Sequence, residues 1–164
     1  MYLLDTNVFI EAQNRYYAND ICPGFWNWLD HAMDAGGLAS ITSVYDELAD
    51  KDDYLAEWVR NRRDTGWFLD VTDTVTQQSF AEVVQFVESV PRYSRPHKDA
   101  FLRKADPWLV AMARTKGFVV VTHESFNAET TKVKIPNVCQ NFNIDYHDTF
   151  QVLRGMAASF SWVP

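Results

Sequence analysis

A chain of 164 residues with a formal net charge of −7 is long enough to bury a core without disulfide or metal staples, and its length suits one domain, residues 1–164. Apolar residues make up 47% of it, with no run near the roughly 20 residues that cross a bilayer. The acidic balance counts against a passive nucleic-acid coat, though not against an enzyme with a cation at its site, because a bound ion inverts the local field.

In chain order, Tyr2-Leu3-Leu4 reads as a first strand, and Asn7 to about Asn14 as a helix capped by Thr6 or Asn7. Asp5 stands between them and breaks the apolar stretch. With no basic cluster ahead of it, this N-terminus does not read as a signal peptide. Pro23 to Ala35 reads as a helix, with Pro near its start and Gly36-Gly37 past its end. Leu38 to Ile41 is a second strand. Ser43 caps a helix carrying Tyr45, Asp46, Glu47 and Leu48, and Asp53 to Arg63 is a further helix. Trp67 to Val71 is a third strand, and Asp73 to Val90 a long helix with Phe80, Val83, Val84 and Val87 on one face. A Pro-bearing basic loop follows, then a helix from Asp106 as N-cap and Pro107 at its first position to Lys116, stopped by Gly117. Phe118 to Val121 is the most apolar strand and so the central one. Val138 and Cys139 read as a short last strand, and His147 to Ala158 as a helix.

Alternating strands and helices make an α/β protein with a parallel sheet covered on both faces. Cys22 and Cys139 fall in no CxxC or Cys/His spacing, which reads as reduced thiols of a cytoplasmic protein.

In open α/β sheets the ligand site lies beyond the carboxyl ends of the strands. Asp5 falls just past the first strand, and Glu47 early in the helix after the second. Asp106 opens the helix that leads to the central strand, and Glu124 follows that strand. The map brings these carboxylates to one edge, with Thr6, Asn7 and Thr122 as small hydrogen-bonding groups between them. Like charges that close repel, and oxygen-only ligands favour a hard cation such as Mg²⁺ or Mn²⁺, which activates water and stabilises a leaving oxygen of a phosphodiester. Each acid also has a plain structural reading. Asp5 and Asp106 sit where a helix cap would, Glu47 lies in the charged run DELADKDD, and Glu124 alone is a loop acid.

The opening LLDTNVFIEA, the SVYDEL segment, the helix start KADPWLVAMA and the strand end VVVTHESF, in that order, resemble PIN-domain ribonucleases, and within them the VapC-like toxins of bacterial toxin–antitoxin systems. The resemblance covers nearly the whole chain. It implies a three-layer α/β/α fold whose parallel sheet has the order 3-2-1-4-5, and Mg²⁺- or Mn²⁺-dependent cleavage of RNA. It implies Asp5, Glu47 and Asp106 as catalytic and metal-site acids, Glu124 in a fourth place where many relatives carry Asp or Asn, and supporting roles for Thr6, Asn7 and Thr122. It also implies an antitoxin that covers the site, and often a homodimer. The chain is longer than compact members of the family, mainly between Ala49 and Lys104, which points to a less studied PIN subfamily whose substrate does not carry over from the resemblance.

The loop PRYSRPHKDAFLRKA holds Arg92, Arg95, Lys98, Arg103 and Lys104 against Asp99 alone, a local balance of +4. A cationic strip leading into Asp106 is where an RNA backbone is expected, with Tyr93 and His97 available to stack on an unpaired base. The alternative is an ordinary solvated loop. His123 reads as a hydrogen-bonded surface residue, and Arg60, Arg62 and Arg63 as helix surface. In the tail MAASFSWVP, Phe160, Trp162 and Val163 call for burial, in the core or against a partner. A haloacid-dehalogenase-type phosphatase needs an acid two residues after Asp5, where Asn7 stands, and a response-regulator receiver needs an acidic pair near its start. Neither accounts for KADPW. A PIN-like binding module without catalysis and a nuclease outside toxin–antitoxin systems both stay open, and a metal titration separates the module from the nuclease.

Overall fold

The run Tyr2–Leu4 (β1) lies at the centre of a five-stranded parallel sheet in the computed structural model, which describes residues 1–161. Leu38–Ile41 (β2) and Val119–Val121 (β4) flank it, so the most apolar strand, expected at the centre, lies beside it instead, and Phe68–Leu69 (β3) and Tyr146–His147 (β5) take the edges, in the order 3-2-1-4-5. Leu3 pairs with Ala39 on one side and Val120 on the other, and Leu4 with Val121. The edge pairings Ile41 with Leu69 and Val121 with His147 are parallel as well, so all five strands run out at the same edge. β2 is buried along its whole length; its one hydroxyl, Ser40, is accommodated because Oγ donates to the Leu4 carbonyl at 2.7 Å.

Helices make every connection. Thr6–Glu11 (α1) and Pro23–Asp34 (α2) join β1 to β2, and Thr42–Ala49 (α3) and Tyr54–Arg60 (α4) join β2 to β3. Thr74–Ser89 (α5), Arg95–Leu102 (α6) and Asp106–Lys116 (α7) lead to β4, Ile135–Asn141 (α8) leads to β5, and Thr149–Gly155 (α9) follows it. Right-handed crossovers put the connections among β1, β2 and β3 on one face and those leading to β4 and β5 on the other. α7 carries the second face: Leu109, Val110 and Met112 are buried, and it packs on α5, α6 and α8. Asp53, Asp73 and Asp148 cap α4, α5 and α9 with their side chains, the last in a reciprocal capping box with Gln151. Gly117, at φ 67°, ends α7 in the left-handed conformation that a side chain resists.

Several expectations are corrected. Arg95 to Leu102 is a helix, not a loop: Pro96 sits in its first turn, and Lys98 and Phe101 turn inward at a spacing of three. Val138 and Cys139 lie in α8, where Ile135, Val138 and Cys139 form a buried helical stripe behind Pro136, and β5 comes later, at Tyr146–His147. The first helix turns π-helical at Ala12–Tyr16, closed by Tyr17 N–H on the Ala12 carbonyl at 2.7 Å. α3 begins at Thr42 behind Ile41, so Ser43 is not its cap. Ala105 is the N-cap of α7, which leaves Asp106 in its first turn.

Among the described residues no helix is long and apolar enough to cross a membrane, and both cysteines are free thiols. Phe160 packs its ring against Tyr17, Phe25 and Trp28, the core use of the tail; Trp162 and Val163 lie outside the described residues.

Candidate active site at the carboxyl edge

Asp5 is 1% exposed and sits where β1 meets β4, its N–H donating to the Val121 carbonyl at 3.0 Å. The backbone makes Asp5 the N-cap of α1, yet its side chain accepts no capping bond from the helix. Oδ2 instead accepts from the buried Thr122 hydroxyl at 3.0 Å and, at 3.5 Å, from Asn7 Nδ2. Asp106 likewise makes no side-chain cap, and among the described residues its carboxylate has no hydrogen-bond partner. The capping account that a helix start offers for both acids is therefore not what their side chains do.

Their electrostatics are those of acids brought together. Burial pushes the Asp5 carboxyl up to about 7, opposed by the Thr122 hydroxyl, with the charges of Glu124 and Glu47 adding to the rise. Burial and then the Asp5 charge push Asp106 up to about 8; Lys104 opposes this, and Glu124 and Glu47 reinforce it. Four carboxylates distant in the chain thus share one field at the carboxyl edge.

The two glutamates have further partners. Glu47 Oε2 accepts from Thr6 Oγ1 at 2.5 Å and Oε1 from the Ala105 N–H at 2.8 Å, which ties α3 to the starts of α1 and α7. Glu124 Oε2 accepts from the Ile135 N–H at 2.7 Å and so closes the amino end of α8. With these oxygens turned onto donors, no three His, Cys, Asp or Glu side chains among the described residues stand together as a ready-made ion cage. The donor set still suits a hard cation in kind: all oxygen, two of its acids raised by burial and by the charges of neighbouring carboxylates, and one of them without a hydrogen-bond partner.

The cationic strip comes apart in the fold. Lys98 is buried, its Nζ donating to the Glu88 carbonyl at 2.6 Å, and Arg95 pairs with Glu88 at 2.9 Å and with Asp99. Tyr93 is buried and so unable to stack on a base, whereas His97 stays partly exposed. Arg92, Arg103 and Lys104 remain exposed and, among the described residues, outside any ion pair. His123 Nε2 is bonded to Thr149 Oγ1 at 3.0 Å, the ring packs against Tyr16 and Phe150, and burial holds its pKa below the ordinary histidine value. Arg62 is more than helix surface: it grips Asp30 through two nitrogens and lies over Trp58. Lys132 escapes a reading of the sequence, because one lysine in a polar loop carries no signal. In the fold it lines a cleft with Asp106 and Glu124.

A family model, Domain of unknown function (DUF4411), matches residues 2–160. The chain belongs to this family. No curated protein matches it. Among solved structures, FitAcB from Neisseria gonorrhoeae is similar at 16% identity, over 89% of this chain and 96% of that one, with a TM-score of 0.52. At that identity the likeness speaks for the fold, which is α/β and PIN-like, with its helices on both sides of the parallel sheet.

Proposed function

We propose that this DUF4411 chain is a metal-dependent ribonuclease that hydrolyses RNA phosphodiester bonds, the toxin of a bacterial toxin–antitoxin pair. The observation that carries the reading is the meeting of Asp5 and Asp106 at one edge, two acids whose side chains cap no helix, the second raised by burial and then by the charge of the first. Asp5 and Asp106 would hold Mg²⁺ or Mn²⁺, with Glu47 and Glu124 as further ligands. A bound divalent ion supplies an activated water and stabilises charge on the leaving oxygen. Thr122 and Asn7 orient Asp5, and Thr6 orients Glu47. The toxin setting is supported by the likeness of LLDTNVFIEA and KADPWLVAMA to the toxin branch of PIN ribonucleases. An antitoxin partner is the corollary.

Cleavage of RNA with Mn²⁺ by the wild type, and its loss in Asp5→Asn and Asp106→Asn variants that still fold, is the deciding experiment. Full activity in both variants would sink the proposal. One observation favours a second reading, a PIN-like binding module: Glu47 and Glu124 already serve as structural acceptors. Calorimetry separates the two, because a module without a metal site gives no heat with Mn²⁺.

A further inference from the structure

A cleft of about 190 Å³ opens beside the carboxylate edge, lined by Asp106 and Glu124 together with His97, Lys104 and Lys132. Lys104 stands between α6 and α7, and Lys132 arrives from the segment ahead of α8. The segment is fastened in place. The Thr131 carbonyl accepts from Ser94 N–H at 3.2 Å and from His97 Nδ1 at 3.0 Å, which binds it to the start of α6. The buried Thr130 hydroxyl then clamps the backbone of Lys132 itself, accepting from its N–H at 3.0 Å and donating to its carbonyl at 3.2 Å. Among the described residues neither Lys104 nor Lys132 has an ion pair, while the nearby Arg95 and Lys98 are committed to Glu88 and Asp99. Two lysines outside any ion pair, lining the same cleft as two acids, is an arrangement that one polyanion satisfies. Its phosphates take the cations while a linkage lies against the carboxylates.

We propose that Lys104 and Lys132 grip the backbone phosphates of a single-stranded RNA beside the bond to be cut, so that the strand runs through this cleft. The inference rests on the ribonuclease reading for its substrate class and replaces the strip from Arg92 to Lys104 with a wall drawn from two segments. A cleft of this size takes a phosphate with its sugar.

The test is fluorescence anisotropy with a labelled single-stranded RNA in chelator, where nothing is cut, across a salt series. Lys104→Ala and Lys132→Ala each weaken binding several-fold and lower the slope of log K against log salt by about 0.7, the worth of one single-strand phosphate contact. Lys132→Arg keeps the slope, and Arg95→Ala leaves it unchanged. Wild-type slopes in both lysine variants, an equal fall in Arg95→Ala, or the same losses on a duplex of equal length would each overturn the proposal. If the wild type cuts no RNA under any metal yet both lysines still set the salt slope, the nuclease reading falls and the cleft stands. If cleavage depends on Asp5 while both lysine variants bind as the wild type does, the cleft falls and the nuclease stands.

Discussion

Glu47 shows how one carboxylate serves both fold and chemistry. Its two oxygens take the Thr6 hydroxyl and the Ala105 N–H, so truncation leaves buried donors without partners. Glu47→Ala is therefore expected to cost about 1–3 kcal/mol in denaturant unfolding. Glu47→Gln keeps an acceptor for Ala105 and a group for the Thr6 hydroxyl, so it should melt close to wild type yet lose cleavage, which separates the roles. Asp5→Asn and Asp106→Asn remove charge at nearly constant shape. Losing several kcal/mol of charge stabilisation lowers cleavage on the order of 10³-fold. Glu124 is different, because one of its oxygens already holds the Ile135 N–H and Gln keeps that bond. Glu124→Gln should weaken metal affinity by roughly 10–100-fold, so excess Mn²⁺ restores part of the rate, and His123→Ala, whose ring is tied to Thr149, should matter less still. Rates measured against Mn²⁺ concentration decide this. A Glu124→Gln enzyme as dead as Asp5→Asn at saturating metal makes Glu124 a core ligand, and a dead His123→Ala moves the assignment to the histidine.

At the scale of elements, what was legible in the chain followed local rules. Asp53 and Asp73 stand at the starts of α4 and α5 and cap them, Gly117 stops α7, and the apolar runs around Leu3, Leu38 and Val120 are β1, β2 and β4. What was not legible depended on distant partners. Lys98 reads as a solvated cation, yet the carboxyl end of α5 offers the Glu88 carbonyl, and that bond holds its head while the stem is buried with Phe101. Nothing near Asp106 in the chain reveals that Ala105 takes over the cap while Glu47 receives the Ala105 N–H. Lys98→Ala should thus behave as a packing variant: it leaves Glu88 without its donor, costs about 1–3 kcal/mol, and leaves the salt slope of RNA binding unchanged. A changed slope with unchanged stability would place Lys98 back on the RNA surface.

Over the whole molecule, the carboxyl edge works against the stability of the fold that carries it. Asp5 at about 7 and Asp106 at about 8 stand above the ordinary carboxylate range, so between about pH 4 and 8 the folded chain binds more protons than the unfolded one. Stability then falls as pH rises and levels off past the higher value. Other groups act outside part of this window. Asp70, Asp73 and Asp99 are held below their usual values by hydrogen bonds or by Arg95, so the stability they add is lost only at acid pH. His123, lowered by burial, makes stability rise with pH up to its unfolded value near 6.5, and the buried Cys139 thiol acts only in the alkaline range. From about pH 6.5 to 8 the two aspartates are left to set the slope. In chelator, the melting temperature of the wild type should fall across that interval, and Asp5→Asn and Asp106→Asn should each flatten the fall and melt above the wild type at pH 8. Mn²⁺ should reverse the trend, since a cation needs the carboxylates ionised and binds more tightly as they lose their protons. Thermal scans at closely spaced pH values, with chelator and with Mn²⁺, check both halves. A wild-type curve that is flat or rising in chelator would mean that burial and the neighbouring carboxylates do not hold these two acids above their ordinary range. A falling curve that Mn²⁺ leaves untouched would mean that they do, and that the ion these acids are proposed to hold does not bind there.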